Sequence, residues 1–305
     1  MTKAELMRMV ALEEQATLGT MRPGDPDRLT KLRSKLTKQQ EEELPCPFRT
    51  DSPHPTCTKP GGVCSIRIFK EGLGGVAPID GNRGKIRALC PWRFHQDGTA
   101  FDKIGERLLS DPTPTRAGEV GFLESTGNLD SDPGEDVGRI DMILVKSNTP
   151  PGAPMDWVAV EVQAVYFSGK RMSIEFEHLL ETQGKLSMAR EKRRPDYRSS
   201  GVKRLMPQLL TKVPTLRRWG KKMAVVVDAP FFHSMGTMER TKDVSNADII
   251  WFLVDFVENP SGARFRLEVV EEFFTTLESA TLGLTGGIPV SQGQFETRIK
   301  AKVQK

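Results

Sequence analysis

With 305 residues, of which 37% are hydrophobic and 28% charged, the chain has material for one large domain or two of ordinary size. No apolar run approaches the length of a membrane span and the opening MTKAELMRMVALEEQ carries no signal-peptide core, so a soluble cytoplasmic protein is expected rather than a membrane-spanning one. The net charge of +4 is unevenly spread: Met188–Lys222 holds twelve Lys or Arg against two acids, a local +10 that leaves −6 for the rest and points to a polyanionic partner.

Residues Thr2–Thr17 have helical composition, with Leu6, Met9, Val10 and Leu12 on a rough apolar stripe that Arg22-Pro23-Gly24 breaks. Asp25 then reads as an N-cap with Pro26 in the first helical position, and Leu29, Leu32 and Leu36 recur at helical spacing. Residues 1–44 are therefore expected to form a helical arm, either a dimerisation element or a packed accessory. From 45 to 95 the chain turns Pro/Gly-rich and holds all four cysteines, Cys46, Cys57, Cys64 and Cys90, with ten, six and twenty-five residues between them. A cytoplasmic chain keeps few disulfides, and four thiols in a segment poor in core formers suit a tetrahedral structural metal site that zinc or iron would accept. His54 and His95 are close enough in sequence to be rival ligands, although four cysteines already complete such a site.

The core is expected over 96–282. Phe101–Leu109 reads as a short helix closed by Asp111-Pro112-Thr113-Pro114. Arg139–Lys146 and Asp156–Phe167 read as apolar, buried strands joined by a Pro/Gly-rich loop, and Ile174–Arg190 as a helix. Met223–Asp228 and Ile249–Val257 are further strand signals, the second pairing with Phe265–Val270 across the turn at 258–262. Residues 283–305 form a polar, peripheral tail. No internal repeat, P-loop, dinucleotide fingerprint or helical HExxH is present.

Polar residues interrupt the two strands at 139–146 and 156–167. Side chains on a strand repeat every two residues, so Glu161 and Gln163 share a face, and a neighbouring strand can bring Asp141 beside them. Carboxylates in a sheet core are expensive unless a cation or a hydrogen-bond network compensates them, and Mg²⁺, a hard ion that accepts few carboxylates and retains waters, supplies that compensation. The bland reading puts Asp141 at a strand end and Glu161 on a solvated sheet face; the apolar flanks argue against it. Upstream, Glu119 and Glu124 are both placed to approach the same ion. In the basic segment, where Tyr197 and Trp219 are interleaved with the charges, Arg193, Arg194, Arg198, Lys203 and Arg204 are candidate DNA contacts.

A strand with Asp141, a strand with Glu161-x-Gln163 and a following helix resemble the PD-(D/E)xK nuclease core, with Gln replacing the usual Lys and Ile140 standing where the motif carries Pro. Preceded by a four-cysteine segment and followed by a basic one, the stretch from about Pro45 to Asp228 resembles the NotI/EagI family of type II restriction endonucleases, and by length its shorter EagI branch. The resemblance implies an α/β (α+β) restriction-endonuclease-like fold, a central mixed sheet flanked by helices with an inserted loop-rich metal-binding segment. It implies a bacterial, cytoplasmic homodimer that needs Mg²⁺ and cuts both strands of a GC-rich palindrome to leave 5′-phosphate and 3′-hydroxyl ends. Cys46, Cys57, Cys64 and Cys90 would bind a structural metal, iron in that family. Asp141, Glu161 and Gln163 would be catalytic, with Glu124 preferred to Glu119 as the upstream acid. A cognate DNA methyltransferase would share the cell without forming a stable complex. On the residues alone two other readings stand beside this one: a structure-specific repair or recombination nuclease, and a non-catalytic DNA-binding regulator with a cysteine metal module.

Overall fold

Runs of Val, Ile, Leu and Phe that are apolar at nearly every position require burial on both faces, and they form the middle of a six-stranded sheet. The computed structural model describes residues 46, 48–49, 64–73, 75–128, 130–170, 173–181, 188–191, 193–258, 265–287 and 290–303, together with a strand at 5–9. In chain order the strands are β1 (Glu5–Met9), β2 (Ser65–Gly72), β3 (Gly75–Pro78), β4 (Arg87–Ala88), β5 (Thr115–Glu124), β6 (Asp136–Val145), β7 (Trp157–Val162), β8 (Tyr166–Phe167), β9 (Pro195–Asp196), β10 (Met223–Asp228), β11 (Ile249–Glu258) and β12 (Phe265–Thr275). The longer helices are α1 (Thr99–Leu109), α2 (Ser173–Glu181), α3 (Met206–Arg218), α4 (Leu277–Thr285) and α5 (Gln292–Val303).

The central sheet has the order β12-β11-β10-β7-β6-β5. β10 runs parallel to β7 and to β11, and the other neighbours are antiparallel, so the sheet is mixed. One face packs against Leu209, Val213 and Leu216 of α3 and Leu277, Ala280 and Leu284 of α4. The other packs against Phe101, Ile104 and Leu109 of α1. This is the expected α/β architecture.

Element by element, the expected pairing of β11 with β12 is present, running from Ile249↔Thr275 to Glu258↔Phe265. The strand expected over 156–167 stops at Val162: the Gln163 amide donates to Val226 O (3.1 Å), the chain leaves the sheet, and Tyr166-Phe167 pairs separately with β9. Thr115–Glu124, to which the sequence reading assigns no element, is the edge strand β5, whose mostly exposed side chains and two glycines give no apolar alternation. Of the helix expected over 174–190, Ser173–Glu181 is helical and residues 182–187 lie outside the described residues.

The N-terminal half departs further from expectation. Glu5–Met9, read as helical, is a strand whose register with β2 runs from Glu5↔Lys70 to Met9↔Ile66; a waiting strand edge overrides a weak helical propensity. The rest of residues 1–44 lies outside the described residues. The segment 45–95 is not simply loop-rich, since β2, β3 and β4 form a small antiparallel sheet with β1. That sheet is tied to the central one through β4: Val165 N donates to Ala88 O (2.8 Å) and Ala88 N donates to the buried Asp228 carboxylate (3.1 Å). Of the tail expected over 283–305, α5 buries none of its residues, whereas Gly283 and Leu284 belong to α4 and are buried. Among the described residues no helix is long and apolar enough to cross a membrane.

The β11/β12 pairing contains a buried polar bond, from the Trp251 indole N–H to Thr275 Oγ1 (2.9 Å), with both residues inaccessible to solvent. Thr275→Val preserves volume and strands that N–H in the core. Urea unfolding of the variant should show a loss of about 1–3 kcal/mol; an unchanged midpoint would mean that the bond is not stabilising.

Candidate active site

The antiparallel ladder between β6 and β7 ends at Met142↔Val160, and the next pair outward by the same register is Asp141 with Glu161. There the ladder gives way to side-chain chemistry, with the Asp141 carboxylate accepting from Val162 N (3.0 Å). The two strands part at this point, and the two carboxyls interact directly across the gap. Asp141 sits at the solvent rim, whereas Glu161, flanked on its other side by Val225 of β10, is only 1% exposed. Partial burial raises the Asp141 carboxyl above its ordinary range, opposed by the Val162 N–H and by Lys212. Burial, and then the Asp141 charge, push Glu161 up to about 8.

The compensating charge comes from a residue the sequence reading passed over. Lys212 of α3, 5% exposed, donates to Glu161 Oε2 (2.6 Å) and to Gln208 Oε1 (2.8 Å). A signal for it exists in the sequence, because Leu205, Leu209, Lys212 and Leu216 recur at helical spacing and put one lysine on an apolar stripe. It was hidden by the surrounding excess of positive charge.

Gln163 is buried just past the end of β7, and its side-chain amide donates to the Ala164 carbonyl (2.6 Å). Of the two upstream acids, Glu119 lies nearer Asp141 along the β5/β6 ladder than Glu124 does, and its exposed carboxylate pairs with Arg139 (3.5 Å). The pairs Gly118↔Met142 and Val120↔Ile140 flank Glu119 and set it opposite Asp141, whose carboxyl its charge pushes upward. Glu124 lies opposite Asp136, five positions further along β5, which at ~3.4 Å per residue is about 17 Å away.

The basic segment divides in two. Arg193, expected to meet DNA, is buried and holds Glu175 (Nε to Oε1, 2.8 Å) and Lys170 O (2.9 Å), bracing α2 instead. Lys212 is engaged as described, Arg217 clasps Asp248 with two bonds, Lys221 pairs with Asp156, and Lys222 donates to the carbonyls of Ser245 and Ala247. Arg194, Arg198, Lys203 and Arg204 are exposed. The Arg204 guanidinium lies 3.7 Å from the ring centroid of exposed Tyr166, four residues beyond the end of β7.

Three of the four cysteines are described and all are buried. Leu89 N and Cys90 N both donate to Cys64 O (2.8 and 3.2 Å), and Cys46 shares an apolar cluster with Phe48, Cys64 and Ile66. Cys57 and His54 lie outside the described residues. His95 is packed between Trp92 and Phe101, with ring centroids at 4.5 and 4.8 Å. Among the described residues no group of three or more His, Cys, Asp or Glu is arranged to hold a metal ion.

Two interacting carboxylates thus lie at the parting of central strands, with a buried lysine against Glu161 and exposed arginines close by in the chain, an arrangement of the kind that metal-assisted phosphodiester hydrolysis uses. A sequence profile described as restriction endonuclease NotI matches residues 30–267, more than three quarters of the chain. The chain belongs to the NotI family of restriction endonucleases; it is a site-specific deoxyribonuclease, a type II restriction enzyme whose partner is double-stranded DNA. Comparison with curated proteins returns no match.

Folded, Glu161 keeps its proton up to about pH 8, whereas the unfolded chain releases it near 4.5. Folding therefore takes up a proton in that interval, and metal-free stability falls as pH rises through it, by at most about 1.4 kcal/mol per pH unit. Urea unfolding across this window should show the decline, and Glu161→Gln should flatten it; a Gln variant with the wild-type slope would show that Glu161 is not the group responsible.

Proposed function

We propose that the enzyme is a Mg²⁺-dependent homodimer that cuts both strands of a GC-rich palindrome, with a PD-(D/E)xK-type site in which Asp141 and Glu161 are the metal-holding acids. The observation that carries this reading is the Asp141–Glu161 pair at the point where the β6/β7 ladder ends. Two hard oxygen donors suit Mg²⁺, which binds through one or two carboxylates and keeps several waters or phosphate oxygens. The strand Asp136–Val145 supplies Asp141 and the strand Trp157–Val162 supplies Glu161, both inside the nuclease core of 96–282.

When bound, Mg²⁺ supplies charge neutralisation at the scissile phosphate and a more acidic water. Glu119, opposite Asp141, is the upstream acid. Gln163 cannot take a proton at any ordinary pH; its role is to orient the attacking water through its amide oxygen. Water adds to phosphorus, the bond to the 3′ oxygen breaks, and that oxygen takes up a proton, leaving 5′-phosphate and 3′-hydroxyl ends. Arg194, Arg198, Lys203 and Arg204 contact the duplex, the arginines being suited to guanine edges and phosphates. A palindromic target is matched by a two-fold dimer, each copy cutting one strand. A methyltransferase of the same specificity, acting in the same bacterial cytoplasm without a stable complex, protects the host's own sites.

Cys46, Cys57, Cys64 and Cys90 hold a structural iron or zinc. Burial of three of the thiols within one small region, two of them joined through the Cys64 carbonyl, supports this. Elemental analysis of the purified protein should find about one iron or zinc per chain, and Cys64→Ser should lower both the metal content and the stability. Metal-free protein that folds as well as the purified form would sink the assignment.

Digestion of a sequenced GC-rich plasmid with Mg²⁺ should give discrete fragments whose mapped ends carry 5′-phosphate, and none without the ion. Asp141→Asn and Glu161→Gln should each slow cleavage at least about 10²-fold while still binding the same DNA. Wild-type cutting by either variant would overturn the reading of these two acids.

A further inference from the structure

Lys212 belongs to a different element from the acids it contacts, and its position is costly unless it has a purpose. Its stem fills a place on the α3 stripe between Leu209 and Leu216, where a leucine would pack with no charge to desolvate. Its ammonium instead reaches Glu161 Oε2 and is steadied by Gln208 Oε1, one turn earlier on the same helix. Those bonds use two of the three ammonium donors, and among the described residues no third acceptor is present. The strand that carries Glu161 offers no cation of its own, since Gln163 is neutral and its amide nitrogen is bonded to Ala164 O.

We propose that Lys212 is a positioning residue of the cleavage reaction: from α3 it fixes the Glu161 carboxylate in its working orientation and sets the charge of the site, with Gln208 fixing the ammonium in turn. The proposal rests on the reading of Asp141 and Glu161 as the catalytic acids. The competing account is a buried ion pair that merely fastens α3 to β7. A fastener would lower stability when broken and leave the rate of the folded enzyme alone; a positioning group changes the rate itself.

The test is single-turnover cleavage of a target duplex at saturating enzyme and Mg²⁺, alongside duplex binding in Ca²⁺ and urea unfolding. Lys212→Met keeps the stem and removes the charge; Lys212→Arg keeps the charge. The Met variant should cut about 10²-fold slower while binding DNA within about 3-fold of wild type, the Arg variant should recover roughly ten-fold of that loss, and Gln208→Leu should slow cleavage about 3- to 10-fold. A folded Met variant that cuts within about 3-fold of wild type would overturn the proposal, as would Arg and Met variants equally slow. Should the Met variant fail to fold, Gln208→Leu and Lys212→Arg both cutting at the wild-type rate would overturn it equally. Asp141→Asn in the same assay separates the two levels: its cutting at the wild-type rate defeats the reading of the acids, whatever Lys212 does.

Discussion

A carboxylate in the middle of a sheet has to be compensated, and Glu161 is that carboxylate. It lies between β6 and β10 with almost no exposure, so its charge is stabilised only by what the fold brings to it. The β6/β7 ladder gives up its next pair to let Asp141 turn inward to Val162 N. The helix α3 gives up an apolar position to admit Lys212. Neither feature makes sense as packing: without Lys212 the acid would have Asp141's charge against it and no cation in contact. Together they leave a site in which one positive group faces two acids that favour ionisation only weakly, a balance that a divalent cation would reverse.

The site is held from a second side by the small sheet. Ala88 of β4 bridges the ends of two central strands, accepting from Val165 and donating to Asp228. Asp228 is fully buried and its carboxyl is pushed up to about 7, chiefly by that burial, while it also accepts from Phe231 N (2.8 Å). Next to Ala88, Arg87 donates to the Tyr197 hydroxyl (2.6 Å), and Tyr197 opens the helical run that continues through Gly201–Leu205 into α3. The cysteine-bearing segment is therefore connected through two residues, Arg87 and Ala88, to the chain just past β7, to the end of β10 and to the start of the helical run that delivers Lys212. Loss of order there would reach the acids without any direct contact to them.

How much of this was legible depended on whether a signal was local. The strand core was readable because Met223–Val227 and Ile249–Val254 are apolar throughout, and the pair Asp141 and Glu161 stood out because polar groups interrupt such runs. The edge strand β5 was not readable, since its side chains are mostly exposed on both sides and no alternation survives. Choosing between Glu119 and Glu124 needs the β5/β6 register, which sequence does not contain. Lys212 and Arg193 show the same limit from opposite directions: within a basic run, neither the lysine that contacts Glu161 nor the arginine that braces α2 differs in type from its exposed neighbours. Glu5–Met9 failed for another reason, because its strand form is set by β2, some sixty residues away.

If the basic segment meets the duplex as proposed, its division also fixes how strongly that binding responds to salt. Each phosphate that a cation neutralises releases condensed counterions and adds about 0.9 to the slope of log affinity against log salt. Composition would suggest a steep slope from twelve cations in Met188–Lys222. Arg190, Arg193, Lys212, Arg217 and Lys221 already have carboxylates inside the protein, and exposed Arg194, Arg198, Lys203 and Arg204 remain facing solvent. Counterion release from this segment would thus be set by a handful of side chains, since five of its twelve cations already answer carboxylates within the protein.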